Sequence, residues 1–206
     1  MSDVLLHGPG PVLAAGESFV RRRVQVTAGT REGTVARIER CSFVECEILQ
    51  WRTRRVEIAD VLFRDCTSDE PMWFENCILR RVEFSGVHGD IQIDSTLGLQ
   101  PQAARVEVAC AYADVDWALD LVNCWPRTLE ISSSFPLEKI RYSRDRAAVF
   151  DMRFYEKLRL EAPGVDFATQ FYSPLTIAEQ DGASRAFLLG EEWCIAWLRR
   201  EGMTLD

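Results

Sequence analysis

Apolar residues recur every five positions between Ala36 and Val87, and this spacing restricts the fold more than any other feature. An amphipathic helix repeats every 3.6 residues and a strand every two, so neither element explains the pattern. The first positions of the ten units are Ala36, Cys41, Cys46, Trp51, Val56, Val61, Cys66, Pro71, Cys77 and Val82, with a one-residue slip at Asn76. The third positions are Ile38, Phe43, Ile48, Thr53, Ile58, Phe63, Ser68, Trp73, Leu79 and Phe84. Nearly all other positions are polar or charged.

Five residues cannot form a core of their own, so the units are expected to stack on one another. With four units in each turn, every residue lies beneath the residue twenty positions later. Similar side chains then fall in columns, which indicates a coil of about twenty residues with strands roughly 4.8 Å apart. The columns are Phe43, Phe63 and Phe84; Ile38, Ile58 and Leu79; and Cys46 and Cys66.

The blocks CSFVE, CEILQ, VEIAD, VLFRD and VEFSG resemble the unit of the pentapeptide-repeat family, which has a small residue two positions before a central Leu or Phe. The resemblance is clearest over residues 36–88 and implies a right-handed quadrilateral β-helix. Trp51, Pro71 and Trp73 are large or stiff where the family has small or aliphatic residues. One face of the coil is therefore expected to be distorted. A generic all-β sandwich is the alternative fold.

The chain is expected to be mainly β, with an N-terminal cap or edge strand at 1–35 and the β-helix at 36–134. The segments ARVEVACAYAD and NCWPRTLEISSS resemble earlier units and extend the β-helix to its end. An insertion around Leu97–Ala104 interrupts it, and such insertions are common binding elements in solenoids.

Residues 135–206 are predicted to form a helical C-terminal region. Ala147, Phe150, Phe154 and Leu158 have helical spacing. Residues 164–182 are expected to form a loop or short strands. A last helix is predicted from about Ser184 to Arg200, and it is apolar on most sides. Such a helix needs cover, either as a cap over the last coil or as a homodimer contact.

Seven cysteines are present, and four of them occupy first positions of the repeat: Cys41, Cys46, Cys66 and Cys77. They are predicted to be buried thiols that act as small apolar core residues. The sequence contains no CxxC motif, so neither a metal site nor a cofactor is expected. No apolar run approaches the ~20 residues that span a membrane, and the N-terminus does not resemble a signal peptide. A cytoplasmic location without a membrane partner is expected.

The net charge of −8 is concentrated in residues 36–131, which carry 10 basic and 17 acidic groups. Such a surface repels nucleic acid and favours basic protein partners, although a solvated face that aids solubility is an equal explanation. The sequence shows no nucleophile, oxyanion motif or phosphate-binding loop beside its aspartates, so no enzyme activity is expected. The candidate partner-binding residues are Asp60, Asp65, Asp69, Glu70, Asp114, Asp116 and Asp120.

Two binding functions are compatible with these features. The leading hypothesis is a bacterial inhibitor, an immunity protein or antitoxin that neutralises a basic toxin domain through the acidic β-helix surface. The alternative follows from the family resemblance, because some pentapeptide-repeat proteins mimic duplex DNA and bind DNA gyrase, protecting it from toxins and quinolones. Arginines interrupt the faces of the coil and weigh against the alternative: Arg52, Arg54, Arg55, Arg80 and Arg81.

Overall fold

Stacked parallel strands form the larger part of the molecule, a β-solenoid of about six turns that is followed by a helical C-terminal region. This architecture confirms the fold class expected from the five-residue repeat. The computed structural model describes residues 3–7, 11–29, 36–87, 89–95, 101–132, 134–163 and 165–205, with the side chains of 101–105 and 165–170 outside that description.

Two parallel sheets build the solenoid, and hydrogen-bonded neighbours come from successive turns. The strands are β1 (Asp3–His7), β2 (Val12–Ala15), β3 (Ser18–Val20), β4 (Arg23–Gly29), β5 (Ala36–Glu39), β6 (Ser42–Val44), β7 (Glu47–Arg54), β8 (Val56–Arg64), β9 (Thr67–Ser68), β10 (Met72–Glu75), β11 (Ile78–Ser85), β12 (Asp90–Asp94), β13 (Leu119–Asn123), β14 (Thr128–Ile131) and β15 (Ile140–Arg141). One sheet has the order β1-β4-β7-β10-β12-β14, with β9 beside β7. The other has the order β15-β13-β11-β8-β5-β2, with β6 beside β8 and β3 beside β6.

The predicted aromatic column lies at the centre of the solenoid. Phe43 pairs in register with Phe63, and Phe63 pairs with Phe84. The ring centroids of these pairs are 5.1 and 4.8 Å apart, and the rings are nearly parallel. Phe19 extends the column by one more turn, with its centroid 5.0 Å from that of Phe43. All four rings are buried, so the column is a continuous part of the core.

The one-residue slip lies earlier in the chain than the sequence pattern predicts. Glu47 pairs with Thr67, an offset of 20 residues. Trp51 already pairs with Met72, an offset of 21. The extra residue is therefore accommodated at the corner between Thr67 and Met72, and the prediction of a slip at Asn76 is wrong.

This earlier slip reverses the orientation of one unit. The repeat pattern predicts that Pro71 and Trp73 point inward, but Met72 and Phe74 are the buried residues of this strand. Trp73 instead points outward and keeps 42% of its surface exposed. A shift of one residue moves every side chain of a strand to its opposite face, and both alternatives place two apolar residues in the core.

Among the described residues, eight other than glycine adopt the left-handed backbone conformation at corners of the solenoid, with φ between 51 and 56°. Between Arg40 and Asp65 they lie five or ten residues apart. The amide of such a corner residue donates a hydrogen bond to the next turn, as from Asp65 N to Ser85 O at 2.8 Å. The eight residues are Arg21, Arg40, Glu45, Arg55, Asp60, Asp65, Asn76 and Arg81. Each left-handed residue with a Cβ costs about 1 kcal/mol, which stacking of the core must offset.

The segment ARVEVACAYAD is helical, so its interpretation as a repeat unit is wrong. Its first eight residues belong to helix α1 (Pro101–Ala111), and its last three form a turn. Val108 is buried, but Val106 is 66% exposed, so the two valines do not share an inward face. Tyr112 follows the helix, and its hydroxyl accepts a hydrogen bond from the amide of Leu79 at 2.8 Å. Of the predicted insertion, residues 97–100 lie outside the described chain.

In the described residues, the C-terminal region combines a two-stranded antiparallel sheet with three α-helices and two short 3-10 helices. Its elements are β16 (Ala147–Asp151), α2 (Tyr155–Glu161), α3 (Val165–Gln180), β17 (Arg185–Leu189) and α4 (Glu192–Arg200). Ala147 and Phe150 therefore lie in a strand and not in the predicted helix. Residues 165–180 form a helix and not the predicted loop or short strands. The last helix begins at Glu192 and not near Ser184, because residues 185–189 form β17 and pair with β16.

A second apolar cluster holds the C-terminal region together. Phe150 and Phe171 are buried in it, and Cys194, Ile195 and Leu198 of α4 face the same cluster. The region is joined to the solenoid because other residues of its small sheet, Ala147 and Phe187, belong to the main core. The face of α4 formed by Cys194, Ile195 and Leu198 thus packs within the chain. A homodimer contact through this helix remains a prediction.

Truncation of Phe63 to alanine tests the aromatic column. Phe63 is fully buried between two stacked rings, so its loss should reduce the free energy of unfolding by about 3–5 kcal/mol. Leu160→Ala is the matched control, because that side chain is 84% exposed and its loss should cost less than about 0.5 kcal/mol. Urea denaturation followed by circular dichroism measures both. Equal losses for the two variants would contradict the stacking.

Candidate functional site

The seven acidic residues predicted to bind a partner fall into two groups. Asp65, Asp69 and Glu70 border the short strand β9 and lie within one turn. We call this set, Asp65, Asp69 and Glu70, the acidic edge. The other four lie near arginines of β11 and β15 and near the end of α1: Asp60, Asp114, Asp116 and Asp120. The structure thus does not bring the seven into one patch.

The second group is largely neutralised by arginines. Both carboxylate oxygens of Asp60 accept hydrogen bonds from Arg81, at 2.5 and 2.9 Å. The hydrogen bonding and charge of Arg81, together with the charge of Arg40, lower the pKa of Asp60. Asp116 is exposed and has no ion pair among the described residues, but its charge contributes to raising the pKa of Arg81.

A continuous chain of ion pairs runs across successive turns on the neighbouring face. Arg37 contacts Glu57 at 3.0 Å, Glu57 contacts Arg80 at 3.0 Å, and Arg80 contacts Asp114 at 3.0 Å. The hydrogen bond from Arg80 lowers the pKa of Asp114. A carboxylate that already binds an arginine gains little from a basic partner, so Asp114 is a poor candidate for partner binding.

Asp120 is also engaged within the chain. Its Oδ2 lies 3.2 Å from Nη1 of Arg141, and its Oδ1 accepts a hydrogen bond from the amide of Val122 at 3.0 Å. Only 13% of the Asp120 side chain is exposed. Three of the four carboxylates in the second group therefore serve the stacking of turns.

The acidic edge has much weaker internal contacts. Asp65 and Asp69 are exposed and form no ion pair within the part of the chain that the structure describes. The closest cation to Glu70 is Arg52 at 3.9 Å, and both side chains are more than half exposed. These three carboxylates are consequently available to groups outside the chain.

Trp73 adjoins the acidic edge, although the repeat pattern predicts it in the core. Its backbone pairs in register with Arg52, the residue that contacts Glu70. Exposed Trp and Arg side chains often dominate the energy of protein interfaces. The sequence did contain a signal, because Trp73 is too large for the inward position that the repeat assigned to it. Carboxylates, a guanidinium and an indole thus lie together on one side of the solenoid.

The cysteines of the repeat point inward, as predicted. Cys41, Cys46, Cys66 and Cys77 are buried free thiols. Desolvation raises the pKa of Cys66 to about 12 and that of Cys77 to about 11. Both thiols donate to backbone carbonyls of the neighbouring turn. Such thiols are poor nucleophiles.

Among the described residues, no three His, Cys, Asp or Glu side chains lie close enough together to hold a metal ion. Within the same part of the chain, no helix is long and apolar enough to cross a membrane. Comparisons with family models, with curated proteins and with solved structures find no significant match. The likeness to pentapeptide-repeat proteins therefore remains a resemblance of sequence pattern.

Thiol labelling tests the placement of the cysteines. Cys110 is exposed on α1, whereas the other six thiols are buried. A thiol reagent should therefore modify one cysteine quickly in the native protein and all seven after denaturation. Cys110→Ser should abolish the fast phase, as measured by absorbance of the released chromophore. A second fast equivalent in the native wild-type protein would contradict the inward placement.

The Asp60–Arg81 pair should give a small, pH-dependent contribution to stability. Because the folded pKa of Asp60 is lowered, the contribution is present above the unfolded pKa of about 3.9 and disappears as pH falls through the folded pKa. Both side chains are more than 40% exposed, so Asp60→Asn should cost no more than about 1 kcal/mol at neutral pH. Urea denaturation at neutral pH and near pH 2 measures the difference.

Asp145→Asn is the control for that measurement. Asp145 is exposed and forms no ion pair among the described residues, so its neutralisation should leave stability nearly unchanged at both pH values. A loss for Asp60→Asn that persists undiminished near pH 2 would show that the carboxylate charge is not its cause.

Proposed function

We propose that this protein is an immunity protein, a non-enzymatic cytoplasmic inhibitor that binds a basic bacterial toxin domain. The observation that carries the proposal is the acidic edge. Its three exposed carboxylates lack close ion pairs, whereas Asp60, Asp114 and Asp120 are each held by an arginine.

The position of the acidic edge on the solenoid supports a binding role. β9 pairs with β7 through Glu47–Thr67 and Ile48–Ser68, and Ser68 Oγ donates to the carbonyl oxygen of Ile48 at 3.1 Å. The backbone between the carboxylates is therefore fixed before a partner arrives. Such preorganisation reduces the ordering cost of association.

The charges and the indole suit different steps of binding. Unpaired carboxylates attract a basic partner over a distance and raise the association rate at low salt. Trp73 supplies apolar area, which slows dissociation once contact is made. An interface with both elements fits a tight inhibitor of one partner.

The DNA-mimicry alternative receives less support from the same contacts. A mimic of duplex DNA needs rows of negative charge, but arginines alternate with carboxylates along the described face of Arg37, Glu57, Arg80 and Asp114. Gyrase binding is therefore kept as an outcome of the experiment and not as a second proposal.

The proposal predicts that reversing the acidic edge abolishes capture of the partner. Tagged protein is expressed in its native cell and co-purified proteins are quantified by mass spectrometry, for the wild type and for the triple variant Asp65→Lys, Asp69→Lys and Glu70→Lys. A basic toxin domain should be captured by the wild type and reduced at least tenfold with the variant. The melting temperature should barely change, because exposed charges contribute little to stability.

The control is a triple variant with the same change in charge at other exposed acids, Glu107→Lys, Asp145→Lys and Glu192→Lys. It should capture the partner as the wild type does. The association rate of the purified pair should fall with salt for the wild type and the control, and much less for the acidic-edge variant. Capture of gyrase, or a toxin bound equally by all three proteins, would overturn the proposal.

A further inference from the structure

A cleft of about 220 Å³ separates the last solenoid turns from the C-terminal region. Trp125 and Glu130 line it on the solenoid side. Arg146, Ser173 and Glu191 line it on the other side. The volume suits a ligand smaller than a typical drug-sized molecule.

Arg146 combines a cation–π contact with a buried donor atom that has no hydrogen-bond partner. Its guanidinium carbon lies 4.0 Å from the centroid of the Trp125 ring, in a cation–π contact that fixes its position. Its Nε is buried and has no hydrogen-bond partner, and no carboxylate within the described chain forms an ion pair with it. Arg127, which lines the same cleft, instead binds Asp90 at 2.6 Å.

A cationic donor without a partner is costly when it is shielded from water. The Nε of Arg146 is itself closed to solvent, so a ligand in the cleft would bind the terminal Nη groups, for which the described residues show no hydrogen bond or ion pair. A guanidinium presents its donors in a planar fork that matches a carboxylate. The environment of Arg146 therefore favours a ligand that carries a carboxylate.

Two carboxylates limit the charge that the ligand can have. Glu130 accepts a hydrogen bond from Ser173 Oγ at 2.5 Å, and Glu191 also lines the cleft. A dianion such as phosphate would be repelled by this pair, whereas an ammonium group would be attracted. The walls also include the apolar side chains of Leu129 and Leu189.

We propose that this cleft binds a free aliphatic α-amino acid. The guanidinium of Arg146 holds the ligand carboxylate, Glu130 and Glu191 hold the ammonium group, and the apolar walls contact the side chain. Such a ligand leaves the charge of the cleft unchanged, because its own two charges cancel. No residue of the acidic edge lines the cleft, so this proposal does not depend on the proposed inhibitor function.

Isothermal titration calorimetry of the full chain with L-leucine tests the proposal. Two analogues isolate each charge: 4-methylpentanoate lacks the amine, and 3-methylbutylamine lacks the carboxylate. L-leucine should bind, and both analogues should bind at least tenfold more weakly. Arg146→Gln should weaken L-leucine binding at least tenfold.

The matched control is Arg144→Gln, which removes the same charge from an exposed side chain two residues away and should bind as the wild type does. If Arg146→Gln alters the circular dichroism spectrum, Glu191→Gln replaces it and should also weaken binding of L-leucine, but not of 4-methylpentanoate. The proposal is overturned if L-leucine shows no heat up to millimolar concentrations, if 4-methylpentanoate binds equally well, or if a folded Arg146→Gln retains wild-type affinity.

Discussion

Left-handed backbone at the corners is the constraint on which the solenoid depends. Eight residues with a Cβ adopt it, among them Asp60 and Asp65, which lie at the two ends of one face. At about 1 kcal/mol each, these corners persist only because stacking inside the coil offsets them. The core side chains must therefore match from turn to turn, as Phe43, Phe63 and Phe84 do. Side chains at outward positions need not match in this way, so they can carry charges and take part in binding.

The close spacing of turns imposes a second condition on those outward positions. Residues in register on adjacent turns lie roughly 4.8 Å apart, so like charges stacked on one another would repel. The alternation of Arg37, Glu57 and Arg80 removes this repulsion and links three turns. Acids such as Asp65 and Asp69 differ from these residues, because their carboxylates form no ion pair between turns among the described residues. The net charge of a region is thus a poor guide to its binding surface, because it does not separate paired from unpaired carboxylates.

Local repetition explains which features were predictable from sequence. The column through Phe63 follows from side chains that recur at a fixed interval. The slip was misplaced because Pro71 and Trp73 satisfy the apolar pattern as well as Met72 and Phe74 do, and only the backbone at the corner decides between them. Strand β16 was mistaken for a helix because its partner, β17, is distant in sequence and contributes the deciding contacts. The cleft around Arg146 was missed for the same reason, since its walls come from segments far apart in the chain.

The solenoid restricts how far a change at one candidate site can affect the other. In a solenoid each turn contacts only its neighbours, so a change in charge at the acidic edge should remain local. Trp73 lies on β10, whose neighbour β12 pairs with β14, the strand that carries Glu130 of the cleft. Only strand β12 therefore lies between the strand that carries the exposed indole and the strand that carries Glu130. Trp73 and Glu130 also line one common surface pocket, so the indole and the cleft are close neighbours on that sheet.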